Sequence, residues 1–166
     1  MNTQIRPAAT VILMREGTET FEIFMVKRSI KSSFGSLYVF PGGTLDVEDS
    51  LPEMYQHCDS LSDDQASSKL ALQQNGLAYW VACIRECFEE AGILLTNKSD
   101  TLLQDSKKLD AYRQQLNSKE ITFYEICKEN NLQLRANNIV PFAHWVTPDI
   151  EPKRFDTRFF LAKVHS

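Results

Sequence analysis

Apolar side chains recur along this chain at two spacings, and the spacing assigns each segment. Residues 8–14 and 21–28 are dense in Val, Ile, Phe and Met, and the polar stretch 15–20 between them contains Gly17. This pattern predicts two antiparallel strands. A loop over 29–36 leads to a short apolar piece at 37–40. Pro41, Gly42 and Gly43 then predict a turn whose paired glycines let the backbone approach a ligand closely. Residues 47–75 become polar, acidic and Ser-rich with only scattered Leu, and read as an insertion outside the core. The clearest periodicity covers 77–91, where Leu77, Trp80, Val81, Ile84, Cys87, Phe88 and Ala91 fall on one side at 100° per residue. A helix is predicted there, with Gly92 where its C-cap belongs. Weaker helical patterns at 109–116 and 120–129 carry Tyr112, Leu116, Phe123, Ile126 and Cys127 on their faces, and the polar stretch 130–138 ends them. Residues 140–146 and 157–164 read as strands joined by a loop with Pro148 and Pro152. No repeat or linker divides the chain, so one α/β domain over 1–166 is expected.

Composition narrows the function. The 166 residues are 43% hydrophobic and 24% charged, enough for a core and unlike a disordered chain. The formal charge is −4, and no run of Lys or Arg forms a nucleic-acid footprint, so no nucleic-acid partner is expected. The apolar run 8–14 is too short to cross a membrane and lacks the flanks of a signal peptide. Cys58, Cys83, Cys87 and Cys127 form no CxxC pair. The one-turn spacing of Cys83 and Cys87 could serve a metal, but free Cys is most often a buried small apolar residue. Reduced thiols then suit a cytoplasmic protein. Nothing in the sequence indicates an oligomeric state.

Candidate chemistry concentrates on the predicted helix. Arg85, Glu86, Glu89 and Glu90 lie opposite its apolar stripe, and the three carboxylates are expected to converge on one spot. Like charges at this spacing destabilise an exposed helix by roughly 0.2–0.5 kcal/mol per pair. In a partly dry cleft, two charges ~6 Å apart at an effective dielectric near 20 repel by about 3 kcal/mol. A hard divalent cation such as Mg²⁺ would relieve this, whereas the ordinary explanation of such a cluster alone is a solvated acidic face. Arg28, Lys31, Arg154 and Arg158 are candidate phosphate-binding cations, Arg28 foremost because it ends a strand just before the Gly42–Gly43 loop. His57 and His144 are read as surface or core residues rather than bases, and Trp145 as a packing residue.

The string Arg85, Glu86, Cys87, Phe88, Glu89, Glu90, Ala91, Gly92, Ile93, following Gly42 and Gly43, resembles the second half of the Nudix box, REUxEExGU with U apolar. Such a match arises by chance on the order of once in ten thousand chains of this length. The resemblance implies an α/β/α sandwich with a mixed β-sheet and an enzyme that hydrolyses diphosphates linked to a nucleoside with Mg²⁺ or Mn²⁺. It implies Glu86 and Glu90 as metal ligands, Glu89 as a further ligand or water-orienting carboxylate, Arg85 as the residue that orients them, and Gly43 as the glycine that opens the box. Gly42, Gly43 and Arg28 are the expected substrate contacts. The family places a Glu six residues after that glycine, where this chain has Asp49, with Asp46 as the competing acid. The Arg should follow eight residues later, at position 57, but stands at 85, so 28 residues interrupt the box.

A long insertion here resembles the coenzyme A diphosphatase-like branch, as do Lys27 to Ser29, Tyr38 to Gly43, and the later Trp145, Thr147, Pro148, Arg154, Phe155, Asp156, Thr157 and Phe159. That likeness implies coenzyme A or acyl-coenzyme A as substrate. The alternatives are a nucleotide sugar or dinucleoside polyphosphate, or a Nudix-fold protein that binds without turnover. Proteins of the branch continue past the strand 157–164 with a further strand and helix. The sandwich is therefore expected to lack both, leaving apolar surface beside that strand, and the insertion 47–75 to protrude beside the active site.

Overall fold

The computed structural model describes residues 4–27, 37–58, 60–97 and 101–164. Its organising element is β1 (Ile5–Glu16), a strand of 12 residues in which Ala9, Val11 and Leu13 alternate into the core. The remaining elements in chain order are β2 (Phe21–Phe24), β3 (Val26–Lys27), β4 (Tyr38–Val39), β5 (Gly42–Thr44), α1 (Pro52–Tyr55), α2 (Asp63–Leu70), α3 (Leu77–Ala91), α4 (Ser106–Asn117), α5 (Phe123–Glu129), β6 (Ile139–Val146) and β7 (Arg154–Lys163). A 3-10 turn, Val47–Ser50, precedes α1. The main sheet is mixed, with order β2-β1-β7-β6 and β5 also paired to β1. β1 and β7 run parallel, Thr10 facing Phe159, whereas the β1–β2, β1–β5 and β6–β7 pairs are antiparallel. β3 and β4 form a separate small ribbon.

Helix α3 lies against the inner face of the sheet. Trp80 meets Phe160 of β7 with ring centroids 4.8 Å apart and donates its indole N–H to the Ile139 carbonyl at 2.9 Å, which satisfies a polar group that is fully buried. Gly92, at φ 71°, closes the helix in the left-handed conformation expected of a C-cap. The other two helical patterns are also realised, and α5 begins with a capping box between Thr122 and Glu125.

Several expectations require correction. The stretch 21–28 is not one strand: β2 ends at Phe24, and β3 leaves the main sheet to pair with β4. Pro41, Gly42 and Gly43 do not form a turn, because Gly42 and Gly43 extend as β5 against Thr10 and Ala9. A Cβ on Gly42 would come within 2.6 Å of the Ala9 carbonyl, so the glycine is needed for interstrand approach. The segment 47–75 does not stand outside the core. Met54, Ala66 and Leu70 are at most 5% exposed and belong to the same apolar cluster as α3. Asp63 of α2 accepts the N–H groups of Asn75 and Leu77 at 2.8 and 2.9 Å, capping the start of α3. A Cβ on Gly76 would collide with the backbone of Ser67, which shows how closely α2 and α3 approach.

β7 lies in the sheet interior between β1 and β6. The apolar surface expected beside it is found on β6, which exposes Val140, Phe142, Trp145 and Val146. Trp145, at 63% exposure, is therefore not a packing residue. Among the described residues no helix is long and apolar enough to cross a membrane.

Candidate active site

The functional side chains gather where α3 passes β5 and the turn Val47–Ser50. Arg85 is 5% exposed, so it is covered rather than solvated, while Glu86 and Glu89 beside it are half-buried and Glu90 is exposed. Its Nε donates to Asp49 Oδ1 at 3.0 Å and its Nη2 to Asp49 Oδ2 at 2.9 Å, a bidentate pair. Nη2 also donates to the Thr44 carbonyl at 2.9 Å, while Nη1 reaches Glu86 at 2.8 Å and Glu89 at 3.0 Å. Burial alone would weaken the guanidinium's hold on its proton. The hydrogen bonds and charge of Asp49, then the charge of Glu86, outweigh it and raise Arg85 above its usual range. Asp46 lies 3.6 Å from Nη1 with its side chain 66% exposed, whereas the Asp49 side chain is 2% exposed. Geometry thus gives the buried pairing to Asp49, the acid six residues after Gly43.

Glu86 lies against the glycine strand, and a Cβ on Gly43 would collide with its carboxylate. Burial, opposed by Arg85 and reinforced by the charges of Glu89 and Glu90, pushes Glu86 up to about 7. Glu90 Oε2 accepts the Gly42 N–H at 3.1 Å. Glu86 and Glu89 meet at Arg85 Nη1 while Glu90 turns to β5, and among the described residues no three His, Cys, Asp or Glu side chains form a ready-made ion cage. Glu89 is drawn to Arg85 and Glu90 to the β5 backbone, because repelling carboxylates turn to whatever donors are near.

Two residues not singled out by sequence hold the end of this helix. Arg113 of α4 donates to the carbonyls of Glu89 and Glu90 at 2.9 and 2.7 Å, and Asn117 adds a bond to the Glu89 carbonyl at 3.3 Å. A cation on the unsatisfied carbonyls at a helix C-terminus is favourable, but no local signal ties position 113 to position 89.

The other candidates lie elsewhere. Arg28 and Lys31 fall outside the described residues. Arg154 is engaged by Asp149 and the Thr147 carbonyl, and Arg158 by Asp156 and the Leu70 carbonyl. Their charges are spent within the fold. The Nδ1 of half-buried His57 faces the Leu132 carbonyl at 3.0 Å, and His144 pairs with Asp156 at 2.6 Å. None of the four cysteines forms a disulfide, and Cys83, Cys87 and Cys127 are buried and Cys58 half-buried.

A helix carrying an arginine and three glutamates, set against a double-glycine strand of a mixed sheet, agrees with what comparison finds. The chain belongs to the Nudix hydrolase family, with residues 52–166 matching the NUDT19 Nudix domain. It is similar to the acyl-coenzyme A diphosphatase NUDT19 of Xenopus laevis, 26% identical over 198 residues that cover 98% of this chain and 52% of that protein. It is also similar to the putative nudix hydrolase 7 of Caenorhabditis elegans, 25% identical over 160 residues, 96% of this chain and 44% of that one. The chain spans about half the length of these curated relatives. The crystal structure of a NUDIX hydrolase from Alicyclobacillus acidocaldarius superposes with a TM-score of 0.68 at 27% identity, covering 99% of this chain and 72% of that one.

Proposed function

We propose that this chain is a single Nudix domain that hydrolyses the phosphoanhydride bond of a nucleoside diphosphate-linked small molecule with the aid of Mg²⁺ or Mn²⁺, and that its substrate is coenzyme A or an acyl-coenzyme A. The observation that carries the reading is the placement of Glu86. A desolvated carboxylate with two more beside it on α3 lies against β5, where it fills the space that a side chain at Gly43 would take.

The donor set fits a hard cation. It is all oxygen, carries more negative charge than Arg85 neutralises, and includes one carboxylate raised by burial and then by its acidic neighbours. Glu86 and Glu90 would hold the ion, with Glu89 as a further ligand or water-orienting group. A bound divalent ion supplies neutralisation of the nonbridging oxygens and a lowered pKa for the attacking water. The chain supplies the positioning. Asp49 fixes Arg85, Arg85 fixes the Glu86 and Glu89 carboxylates, and Gly43 lets Glu86 close on β5; Gly42 and Gly43 are the proposed substrate contacts beside it. The preference for coenzyme A is supported by the match to the NUDT19 Nudix domain and by the long interruption of the box. Core thiols without disulfides fit a reducing compartment such as the cytoplasm.

The test is incubation of the purified chain with coenzyme A, acyl-coenzyme A esters, nucleotide sugars and dinucleoside polyphosphates, with Mg²⁺, Mn²⁺ or a chelator, and products resolved by mass. Release of an adenosine diphosphate part and a phosphopantetheine part, abolished by the chelator, is expected. Hydrolysis of a nucleotide sugar alone would replace the substrate, and activity indifferent to the chelator would overturn the metal.

A further inference from the structure

Beside the carboxylate cluster lies a cavity of about 410 Å³, within the usual size range of small-molecule sites. Arg85 and Glu89 form one wall, so it adjoins the site through the same helix. Glu89 and Glu86 are three residues apart on α3, neighbours at roughly 5–6 Å between their Cβ atoms. The apolar lining comes from Leu116 in the last turn of α4, Phe123 at the start of α5, half-buried Ile121 between them and Met54 of the insertion, with Asn117, Thr122 and Tyr124 beside them. Val47, 84% exposed, stands at the rim.

The charges of the lining decide what can enter. Asp46, Glu48, Asp49 and Glu89 face it, against Arg85 and Lys119, and Arg85 is already bonded to three carboxylates. A phosphorylated nucleoside would bring further negative charge to a lining that already carries an excess of it. The other half of a coenzyme A ester, beyond the reacting diphosphate, is an uncharged pantetheine arm ending in an acyl chain. Its amides can bond to the polar wall while its alkyl end lies on Ile121, Leu116, Phe123 and Met54. Resting on the substrate class proposed above, we infer that this cavity receives the acylated pantetheine arm, and that the box insertion, through Val47 and Met54, helps set the acyl length accepted.

Acyl-pantetheines lack the diphosphate, so binding can be measured without turnover. Calorimetry with acetyl-, butanoyl-, hexanoyl- and octanoyl-pantetheine should show affinity rising with chain length in the wild type, up to roughly fourfold per buried methylene. Ile121→Trp fills the cavity and Val47→Trp closes its rim from a position 84% exposed, where a larger side chain displaces no core residue. Each should flatten the series and lower octanoyl-pantetheine affinity at least tenfold, while binding of adenosine 3′,5′-bisphosphate stays within twofold. A flat series in the wild type, or a slope that survives in both variants, overturns the assignment. If the wild type still cleaves coenzyme A esters in that case, only the cavity assignment fails. If it cleaves other diphosphates but no coenzyme A ester, the substrate reading fails and takes the cavity assignment with it.

Discussion

Asp49→Asn is the substitution that most directly tests how the site is built. The change keeps shape and one carbonyl acceptor but removes the charge from a side chain that is 2% exposed and bonded twice to Arg85. Removing one partner of a buried ion pair costs about 3–5 kcal/mol, because the other charge is left short of compensation. Here Arg85 keeps Glu86, Glu89 and the Thr44 carbonyl, so the lower end, about 3 kcal/mol, is expected. That is a large share of the roughly 5–15 kcal/mol that stabilises a typical domain. In urea, at an m-value of about 2 kcal/mol/M, the midpoint should fall by about 1.5 M with the slope unchanged. Asp46→Asn is the matched control. Its side chain is 66% exposed and 3.6 Å from the guanidinium, so it should cost less than about 0.5 kcal/mol. Turnover should fall with Asp49→Asn as well, since a loosened Arg85 no longer fixes Glu86. An Asp49→Asn midpoint within about 0.3 M of wild type, or an Asp46→Asn loss of equal size, would refute the assignment of Asp49 as the buried anchor.

Three further outcomes are expected. Glu86→Gln and Glu90→Gln should each lower turnover by at least about 100-fold, beyond the roughly 10–100-fold lost with a group that merely supports a metal ligand, while circular dichroism stays native; full activity in both at saturating Mn²⁺ would remove them from the site. Gly43→Ala should displace the Glu86 carboxylate and cut kcat more than tenfold with only a small change in melting temperature, whereas Gly42→Ala, which meets the Ala9 and Thr10 backbone, should lose about 1–3 kcal/mol of stability; thermal melts and steady-state kinetics on the pair separate the two roles. Met54→Ala should cost about 2–5 kcal/mol by chemical denaturation, and a loss under about 0.5 kcal/mol would restore the view that the insertion is peripheral.

Much of this architecture follows from local features of the chain. The 3.6-residue apolar recurrence from Leu77 to Ala91 and the glycine after it specify α3 and its end, because both depend only on contacts within a turn or two. The string from Arg85 to Ile93 likewise brings an arginine and three glutamates onto one helix before any tertiary contact forms. What covers that helix is a different matter. Periodicity shows which side of α3 is polar, but the burial of Arg85 depends on the turn Val47–Ser50 and β5 folding over it. The choice between Asp46 and Asp49 was open in sequence because both are acids within reach, and it is decided by which one meets the guanidinium away from water. Met54, Ala66 and Leu70 are isolated apolar residues in a polar segment, and they count as core only because α1 and α2 are held against α3. The glycines look like a turn until β1, more than thirty residues earlier, offers Ala9 and Thr10 as strand partners. The sequence alone thus determined the helix, its cap and the chemistry it carries, since these arise from neighbours along the chain. Burial, partner choice and strand register were decided only by the tertiary structure, because each is a property of surfaces that meet from distant parts of the chain.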